Sequence, residues 1–304
     1  MQEITFTTGN YTLIFSERER KGKRELTVEM HRGRGASLSI PEHVEVDGEM
    51  LPVTAIAKKA FLGNRSLREV TLPATVRKLS DWAFAQCEML TAFTSLREKP
   101  LKIARNAFDD CKSLTDICTD GRAANGFSKL LAACPVRLSA GYLLAGEDIG
   151  SSGWFANWDT RLSAFLDEDD EEGYTNVVLC GEEDIDASVP EFVKEKRRNK
   201  CALCLMRLME DKELQDDYRA KFTGYLLERT KGSPTEEAWE VIITEFADRM
   251  EYYELLARLG GITRENIDAM IADLSSQHAE AKAWLIGYKQ EHFAEDDVFD
   301  QFVL

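Results

Sequence analysis

The stretch AIAKKAFLGNRSLREVTLP, residues 55–73, joins an Ala-Phe pair to a Leu and to a short alternation of apolar and polar residues that ends in Leu-Pro. The Ala-Phe pair recurs at steps of 23 and 24 residues, as Ala60-Phe61, Ala83-Phe84 and Ala107-Phe108. Apolar residues on both sides keep these steps: Ile56, Leu79 and Ile103 before the pairs, and Leu67, Leu90 and Leu114 after them. A fixed period of this length is typical of a solenoid.

A unit this short cannot enclose a core by itself, so each coil must bury its apolar side chains against the next coil. We therefore predict that Phe61, Phe84 and Phe108 stack in one interior ladder. The alternation that follows Leu67 predicts a strand with its polar side chains outward, and Pro73 ends it because proline cannot donate to a ladder.

The outward positions of the three predicted strands are the candidate partner-binding residues. They are Glu69 and Thr71, Ala92 and Thr94, and Asp116 and Cys118. These small or singly charged side chains leave room for an extended chain and supply no catalytic pair. Trp154 and Trp158 are the expected anchors, since Trp is enriched among interface hot spots. A second interpretation, in which both tryptophans only seal two domains together, stays open. The predicted site is thus Glu69, Thr71, Thr94, Asp116, Trp154 and Trp158.

These repeats resemble the BspA-like leucine-rich repeats, whose unit has an Ala-Phe, a following Cys or Asn, a Leu and an Ile-x-Leu-Pro strand. AFLGNRSLREVTLP, AFAQCEMLTAF and AFDDCKSLTDI follow this order, and residues 4–30 resemble the family's N-terminal β cap. The second and third strands lack the Leu-Pro ending, so we expect a short solenoid that is distorted towards its C-terminal end. The resemblance implies protein recognition, often at a cell surface, and no catalytic motif.

Helical periodicity replaces the repeat from about Val136 onward. Ser233-Pro234-Thr235-Glu236 has the form of a capping box with proline at the first helical position. Three similar triplets stand 29 residues apart, which suits paired antiparallel helices: Tyr225-Leu226-Leu227, Glu254-Leu255-Leu256 and Ala283-Trp284-Leu285. The prediction is an α+β chain. It has a β-rich leucine-rich repeat domain over residues 1–135 and an all-α, acidic helical-repeat domain over residues 136–304.

The charge of the chain is uneven. The net charge is −16, with 21 Lys and Arg against 17 Asp and Glu in residues 1–140, and 17 against 37 in the remainder. An acidic second half repels phosphates and argues against nucleic acid. The basic run Arg18–Arg24 is interpreted as a solvated hairpin tip, with an anionic partner as the alternative. The acidic run Asp167–Gly173 does not fit EF-hand spacing and is interpreted as a solvated loop.

No segment of about 18 apolar residues occurs, which argues against a membrane span. The N-terminus MQEITFTTGNYTLIF lacks the features of a signal peptide, so the chain as given is expected to be cytoplasmic. If a signal peptide has been removed, the expected location is the cell surface or the exterior. Seven cysteines, an odd number spread over both halves, fit reduced thiols better than a disulfide framework.

Candidate chemistry is sparse. Cys201-Ala-Leu-Cys204 is the nearest approach to a metal motif, but no second ligand pair accompanies it, and buried, reduced, metal-free thiols are expected. The four histidines fit no catalytic pattern, and no cofactor is expected. The C-terminal EDDVFDQFVL is interpreted as a frayed or docked tail, with a partner-binding peptide as the alternative.

The functional prediction is a non-enzymatic interaction module whose repeat surface binds a polypeptide partner. The alternative is a cell-surface adhesin or glycan-binding protein whose signal peptide is missing from this sequence.

Overall fold

The computed structural model describes residues 4–119, 126–146, 148–174 and 188–293. The chain divides into two compact units, Met1–Leu162 and Ser163–Leu304. The division falls later than the change in sequence pattern near residue 135, because the helix Gly126–Val136 and most of the helix Ser152–Asp167 belong to the first unit.

Eleven strands lie in the described part of the first unit. In chain order they are β1 (Ile4–Thr8), β2 (Tyr11–Arg20), β3 (Lys23–Gly33), β4 (Ser37–Ser39), β5 (His43–Val46), β6 (Glu49–Ile56), β7 (Glu69–Leu72), β8 (Lys78–Leu79), β9 (Ala92–Ser95), β10 (Lys102–Ile103) and β11 (Asp116–Cys118).

The N-terminal strands form the predicted β cap. β1, β2 and β3 pair antiparallel in sequence, and β3 then pairs parallel to β6, the first strand of the coils on that side. The basic run makes the tip of the β2–β3 hairpin, where Lys21 and Gly22 adopt positive φ angles of 53° and 74°. The hairpin prediction for this run is therefore confirmed.

Parallel strands form the solenoid that the repeat predicts. One sheet continues from β6 through β8 to β10, and the other has the order β11-β9-β7-β4 with parallel pairing throughout. The result is a β-solenoid of about four turns, followed by helices. The predicted fold class is confirmed.

The predicted phenylalanine ladder runs through the interior of the coils. The Phe61 and Phe84 rings stack at 4.9 Å and the Phe84 and Phe108 rings at 5.9 Å between centroids. All three side chains are buried. His31 of β3 extends the ladder into the cap, because its ring stacks on Phe61 at 4.9 Å. The cap therefore ends the ladder with a side chain that can also form hydrogen bonds.

The residues that stand three positions after each Phe form a second ladder. The Cys87 thiol donates to the Phe61 carbonyl at 3.2 Å, and the Cys111 thiol donates to the Phe84 carbonyl at 3.1 Å. Burial raises the pKa of Cys87 to about 11 and that of Cys111 further, so both thiols remain protonated donors. These cysteines are packing residues, as their repetition predicts.

Asn64 occupies the equivalent position in the first coil, next to the cap. Its Oδ1 accepts from the backbone N–H groups of Ser66 at 3.0 Å and Leu67 at 3.1 Å, and its Nδ2 lies 3.0 Å from His31 Nε2. A longer polar side chain fits here because the adjacent layer is the cap, which offers an imidazole instead of another coil.

Eight helices occur among the described residues. They are α1 (Gly126–Val136), α2 (Ser152–Asp167), α3 (Val189–Met209), α4 (Asp216–Leu227), α5 (Glu237–Glu245), α6 (Met250–Arg258), α7 (Ile267–Asp273) and α8 (Ala279–Phe293). In the second unit, α3 packs against α4, α5 and α6. The predicted triplets lie on α4, α6 and α8, where Leu226, Leu255 and Leu285 are buried. Their stacking as a regular helical repeat stays a prediction.

The predicted capping box at Ser233 is wrong. α5 begins only at Glu237, and the Glu236 carboxylate turns back to accept from the Gly232 N–H at 3.0 Å and to pair with Lys231 at 2.8 Å. A capping box of the same kind starts α3 instead, where the Ser188 N–H and hydroxyl both donate to Glu191, at 3.2 and 3.0 Å.

Candidate interaction surfaces

The sheet β4-β7-β9-β11 brings the predicted binding residues into two outward rows. Strand register places Ser37, Glu69, Ala92 and Asp116 in one row and Ser39, Thr71, Thr94 and Cys118 in the other. The row between them, Leu38, Val70, Phe93 and Ile117, is buried. The alternation read from the sequence therefore positions Glu69, Thr71 and Thr94 on one face.

Three of the four strands keep this face open to solvent. Ser37, Ser39 and Glu69 are exposed, whereas Thr71, Ala92 and Thr94 are partly exposed. The Ser37 hydroxyl donates to Glu69 Oε2 at 3.3 Å, which links β4 and β7 across the surface. We call this surface, Ser37, Ser39, Glu69, Thr71, Ala92 and Thr94, the sheet strip.

The fourth strand does not belong to the open surface, since α1 packs against β11. Asp116 Oδ1 accepts from the Ser128 hydroxyl at 2.8 Å, and its Oδ2 lies 3.8 Å from Lys129 Nζ. Cys118, predicted to face outward, is only 7% exposed. Asp116 thus attaches a helix to the end of the sheet, a role that its position in the repeat does not reveal.

Trp154 and Trp158 lie inside the first unit and not on its surface. Both are on α2, and they are 1% and 0% exposed. The Trp154 indole N–H donates to the Leu143 carbonyl at 2.9 Å, and that of Trp158 to the Leu130 carbonyl of α1 at 3.4 Å. Buried rings with satisfied N–H groups have no surface for a partner, so neither anchors the sheet strip.

Trp82, a tryptophan that the sequence reasoning passed over, is partly exposed in the turn that precedes Phe84. Lys58 Nζ lies 4.6 Å and Lys59 Nζ 5.4 Å from the centre of its ring. The signal was available: Trp82 stands 23 residues after Lys59, at a repeat position where the coil itself requires no aromatic side chain.

The acidic run after α2 is not a solvated loop throughout. Asp170 pairs with the buried Lys200 of α3 at 2.7 Å and with Arg197 at 2.6 Å. Burial alone would raise the pKa of Asp170, but the hydrogen bonds from Lys200 and Arg197 outweigh it and hold that pKa below its ordinary value. Asp170 therefore clamps this loop onto α3.

Cys201 and Cys204 are both fully buried on α3, as predicted. Burial raises the pKa of each thiol, which keeps them protonated and unreactive. Their metal-free state stays a prediction. Within the described residues no group of three or more His, Cys, Asp or Glu side chains could hold a metal ion. Over the same residues, no helix combines the length and apolar character needed to cross a membrane.

Comparison with known proteins identifies the repeats. Residues 49–135 match the sequence model of the BspA type leucine rich repeat region in six copies. No curated protein matches the chain.

Solved structures of bacterial leucine-rich repeat proteins are similar to part of the chain. A leucine rich cell surface protein of Faecalibacterium prausnitzii is 29% identical over 38% of this chain and 31% of its own, with a TM-score of 0.32. A leucine rich repeat protein of Treponema pallidum is 30% identical over 35% and 47%, with a TM-score of 0.30. One from Bacteroides capillosus is 26% identical over 41% and 91%, with a TM-score of 0.31. The chain thus spans under half the length of the first two.

The repeat motif and the parallel coils together define a leucine-rich repeat solenoid. More specifically, residues 49–135 are similar to the BspA type leucine rich repeat region, and helices follow them.

Proposed function

We propose that the protein is a non-enzymatic interaction module that binds a polypeptide partner through the sheet strip. The observation that carries this proposal is the strip itself: two rows of outward side chains, all short except Glu69, above a fully buried row on strands that pair with one another. Leucine-rich repeat folds are generally protein-interaction or surface-associated.

The chemistry of the strip favours an extended segment with a basic residue at its centre. Glu69 is the charged residue of the strip, and hydroxyl groups of serine and threonine surround it. Neighbouring strands are about 4.8 Å apart, so the three open strands form a flat band. The distance from the first of these strands to the third is about 10 Å. A band of this width suits a single extended chain better than a globular face.

The test starts from partners captured by the full chain from source cells and identified by mass spectrometry. Affinity for each captured partner is then measured by calorimetry with the double variant Glu69→Arg, Thr94→Arg. We expect binding at least about tenfold weaker, equivalent to about 1.4 kcal/mol, and a nearly unchanged melting temperature because both positions lie at the surface.

A matched control adds the same charge elsewhere. Glu88→Arg with Met89→Arg also changes the net charge by three positive units, at exposed positions off the sheet strip. This control should bind like the wild type. Undiminished binding by the Glu69→Arg, Thr94→Arg variant would move the site off this face.

The cell-surface location and the glycan binding that the sequence analysis gave as alternatives stay predictions. Glycan binding concerns a different face of the coils from the sheet strip.

A further inference from the structure

Equivalent residues of three coils lie side by side where each coil passes through its Ala-Phe turn. Backbone N–H groups of one turn donate to carbonyls of the next, from Lys59 to Asp81 at 3.2 Å and from Gln86 to Asp109 at 2.8 Å. This register aligns four columns, in which Ala85 is buried and the other members are at least partly exposed: Lys58, Asp81 and Arg105; Lys59, Trp82 and Asn106; Leu62, Ala85 and Asp109; and Gly63, Gln86 and Asp110.

Trp82 is the unusual member of these columns. Its φ angle is 54°, a left-handed conformation that is unfavourable for a residue with a bulky side chain. Lys59 holds the same place in the preceding coil with a φ of 62°. The coil therefore tolerates lysine at this position, and its geometry does not require an indole. An aromatic ring kept in a strained, partly exposed turn points to a role outside packing.

The indole is fixed at its edge and accessible on its face. With the Asn106 amide oriented so that its oxygen faces the ring, the Trp82 N–H donates to that oxygen at 3.0 Å, and the Asn106 nitrogen donates to Asp81 Oδ1 at 2.9 Å. The ammonium groups of the exposed Lys58 and Lys59 lie over the ring. Two lysine side chains thus lie against a ring that is still partly exposed.

Two adjoining cavities flank this ring. The smaller, about 250 Å³, is lined by Lys59, Leu62, Trp82, Ala85, Gln86, Asp109 and Asp110. The larger, about 620 Å³, includes Asp81, Arg105, Asn106, Asp109 and Asp110 in its lining. Because Asp109 and Asp110 line both, the two cavities are neighbours, and together we call them the turn groove. Its combined size suits a ligand longer than a single small ring.

The charges around the turn groove balance. Three cations, Lys58, Lys59 and Arg105, face three carboxylates, Asp81, Asp109 and Asp110. A basic ligand would meet the cations that already lie near Trp82, and an acidic ligand would meet the carboxylates. Donors and acceptors mixed in this way around an aromatic face match a neutral molecule that carries many hydroxyl groups.

The Trp82 side chain donates a hydrogen bond to Asp109, and since a carboxylate can accept about four hydrogen bonds, both neighbouring carboxylates can accept more. In the described part of the chain, neither Asp109 nor Asp110 has a cationic nitrogen within 4.0 Å among the ion pairs found. Burial and the adjacent Asp110 raise the pKa of Asp109 above its ordinary value. Ligand hydroxyl groups would donate hydrogen bonds to both carboxylates and would offset the electrostatic repulsion between Asp109 and Asp110.

We propose that the turn groove binds a neutral oligosaccharide, with Trp82 as the stacking platform for one sugar ring and Asp109 and Asp110 as acceptors for its hydroxyl groups. Leu62, which is 39% exposed, adds apolar contact at the end of the platform. This site is separate from the sheet strip and goes beyond the proposed function.

The test applies the full-length protein to a printed array that carries both neutral and acidic glycans, and then measures affinity for the best soluble hit by calorimetry. The decisive variant is Trp82→Lys, because Lys59 shows that this coil position accepts lysine. The matched control is Trp284→Ala, which removes a partly exposed tryptophan of α8. We expect binding of a neutral glycan that Trp82→Lys weakens at least tenfold and Trp284→Ala leaves unchanged.

Asp110→Asn should weaken the same glycan several-fold while leaving the melting temperature unchanged. The proposal is overturned if no glycan on the array binds, if only acidic glycans bind, or if Trp82→Lys binds as well as the wild type. Binding of a nonaarginine peptide in place of glycans, lost in Trp82→Lys, would instead assign the groove to basic polypeptides. Because the sheet-strip variants lie on another face, failure here leaves the proposed function testable.

Discussion

The coils and the helical unit bury different kinds of groups. Among residues 4–119, the buried polar side chains are uncharged: Thr27, Thr54, Asn64 and Ser95. The helical unit instead buries Lys200, Arg207 and Glu237, which are 1%, 0% and 4% exposed. In a repeating interior, equivalent positions of successive coils lie on one another. A charge buried in one coil would therefore face the equivalent position of the next coil. Among the described residues Glu237 Oε2 has no hydrogen-bond partner, whereas Lys200 and Arg207 each have partners of their own.

Those partners are mostly backbone groups and one carboxylate. Lys200 Nζ donates to the Glu168 carbonyl at 2.7 Å as well as to Asp170, and Arg207 donates to the carbonyls of Glu210 and, at 3.0 Å, Lys212. Both cations therefore fasten loops to the ends of helices. The comparison shows that the coils depend on periodic apolar contacts, and the helical unit on particular charged ones.

The largest expected effect is in the coils. Phe84→Ala removes the middle ring of the ladder and should lower the free energy of unfolding by about 3–5 kcal/mol, since the rigid coils on either side cannot close the cavity. Denaturant melts followed by circular dichroism measure this loss. Leu62→Ala, in the exposed turn of the preceding coil, should cost no more than about 0.5 kcal/mol. Equal losses in both variants would refute the ladder.

A smaller effect is expected from the charge buried in the helical unit. Lys200→Ala leaves Asp170 with Arg197 as its remaining partner and removes hydrogen bonds to the carbonyls of Leu166 and Glu168, so we expect a loss of about 1.5–3 kcal/mol. Lys194→Ala, on the same helix, breaks an exposed ion pair with Glu240 and should cost less than about 1 kcal/mol. If the two losses match, the buried ammonium has no special role.

The smallest expected effect is a dependence on pH. The folded state holds the pKa of Asp170 below its unfolded value of about 3.9. Its stabilising contribution is therefore complete above that value and is lost as the pH falls through the folded pKa. The difference in unfolding free energy between wild type and Asp170→Asn should shrink as the pH is lowered below about 4.

Asp167→Asn is the control for that titration, because its carboxylate is 69% exposed in its pair with Lys221. The unfolding free energy of this variant should differ little from that of the wild type at every pH. A difference for Asp170→Asn that does not vary between pH 7 and pH 3 would show that the loop clamp does not depend on the carboxylate charge.

The same contrast explains which features the sequence predicts. Phe61, Phe84 and Phe108, their cysteines and the outward strand residues all repeat, so a single alignment of the chain with itself assigns their places. Asp116 shares that repeat, yet α1 covers it, because the end of a solenoid needs a cap that no repeat encodes. Trp154 and Trp158 fall after the repeat, and composition alone does not distinguish an exposed anchor from a buried ring.

The helical unit was less predictable for the same reason. Asp170 lies in a run of acids that is typical of a solvated loop, and its partners Arg197 and Lys200 are about 30 residues away in sequence. The capping box predicted at Ser233 does not form because the Glu236 carboxylate instead pairs with Lys231 and accepts from the Gly232 N–H. Trp82 could have been found by asking which repeat position holds a side chain that the coil does not need.

Photo-cross-linking tests the central claim, that the sheet strip is the partner-binding surface, most directly. p-Benzoylphenylalanine replaces Thr71, at the middle of the strip, in the full chain, and in a second sample replaces the exposed Glu254 of α6. Both are irradiated with the partner identified by capture. We expect a covalent adduct from position 71 and none from position 254. An adduct from position 254 alone would contradict the claim.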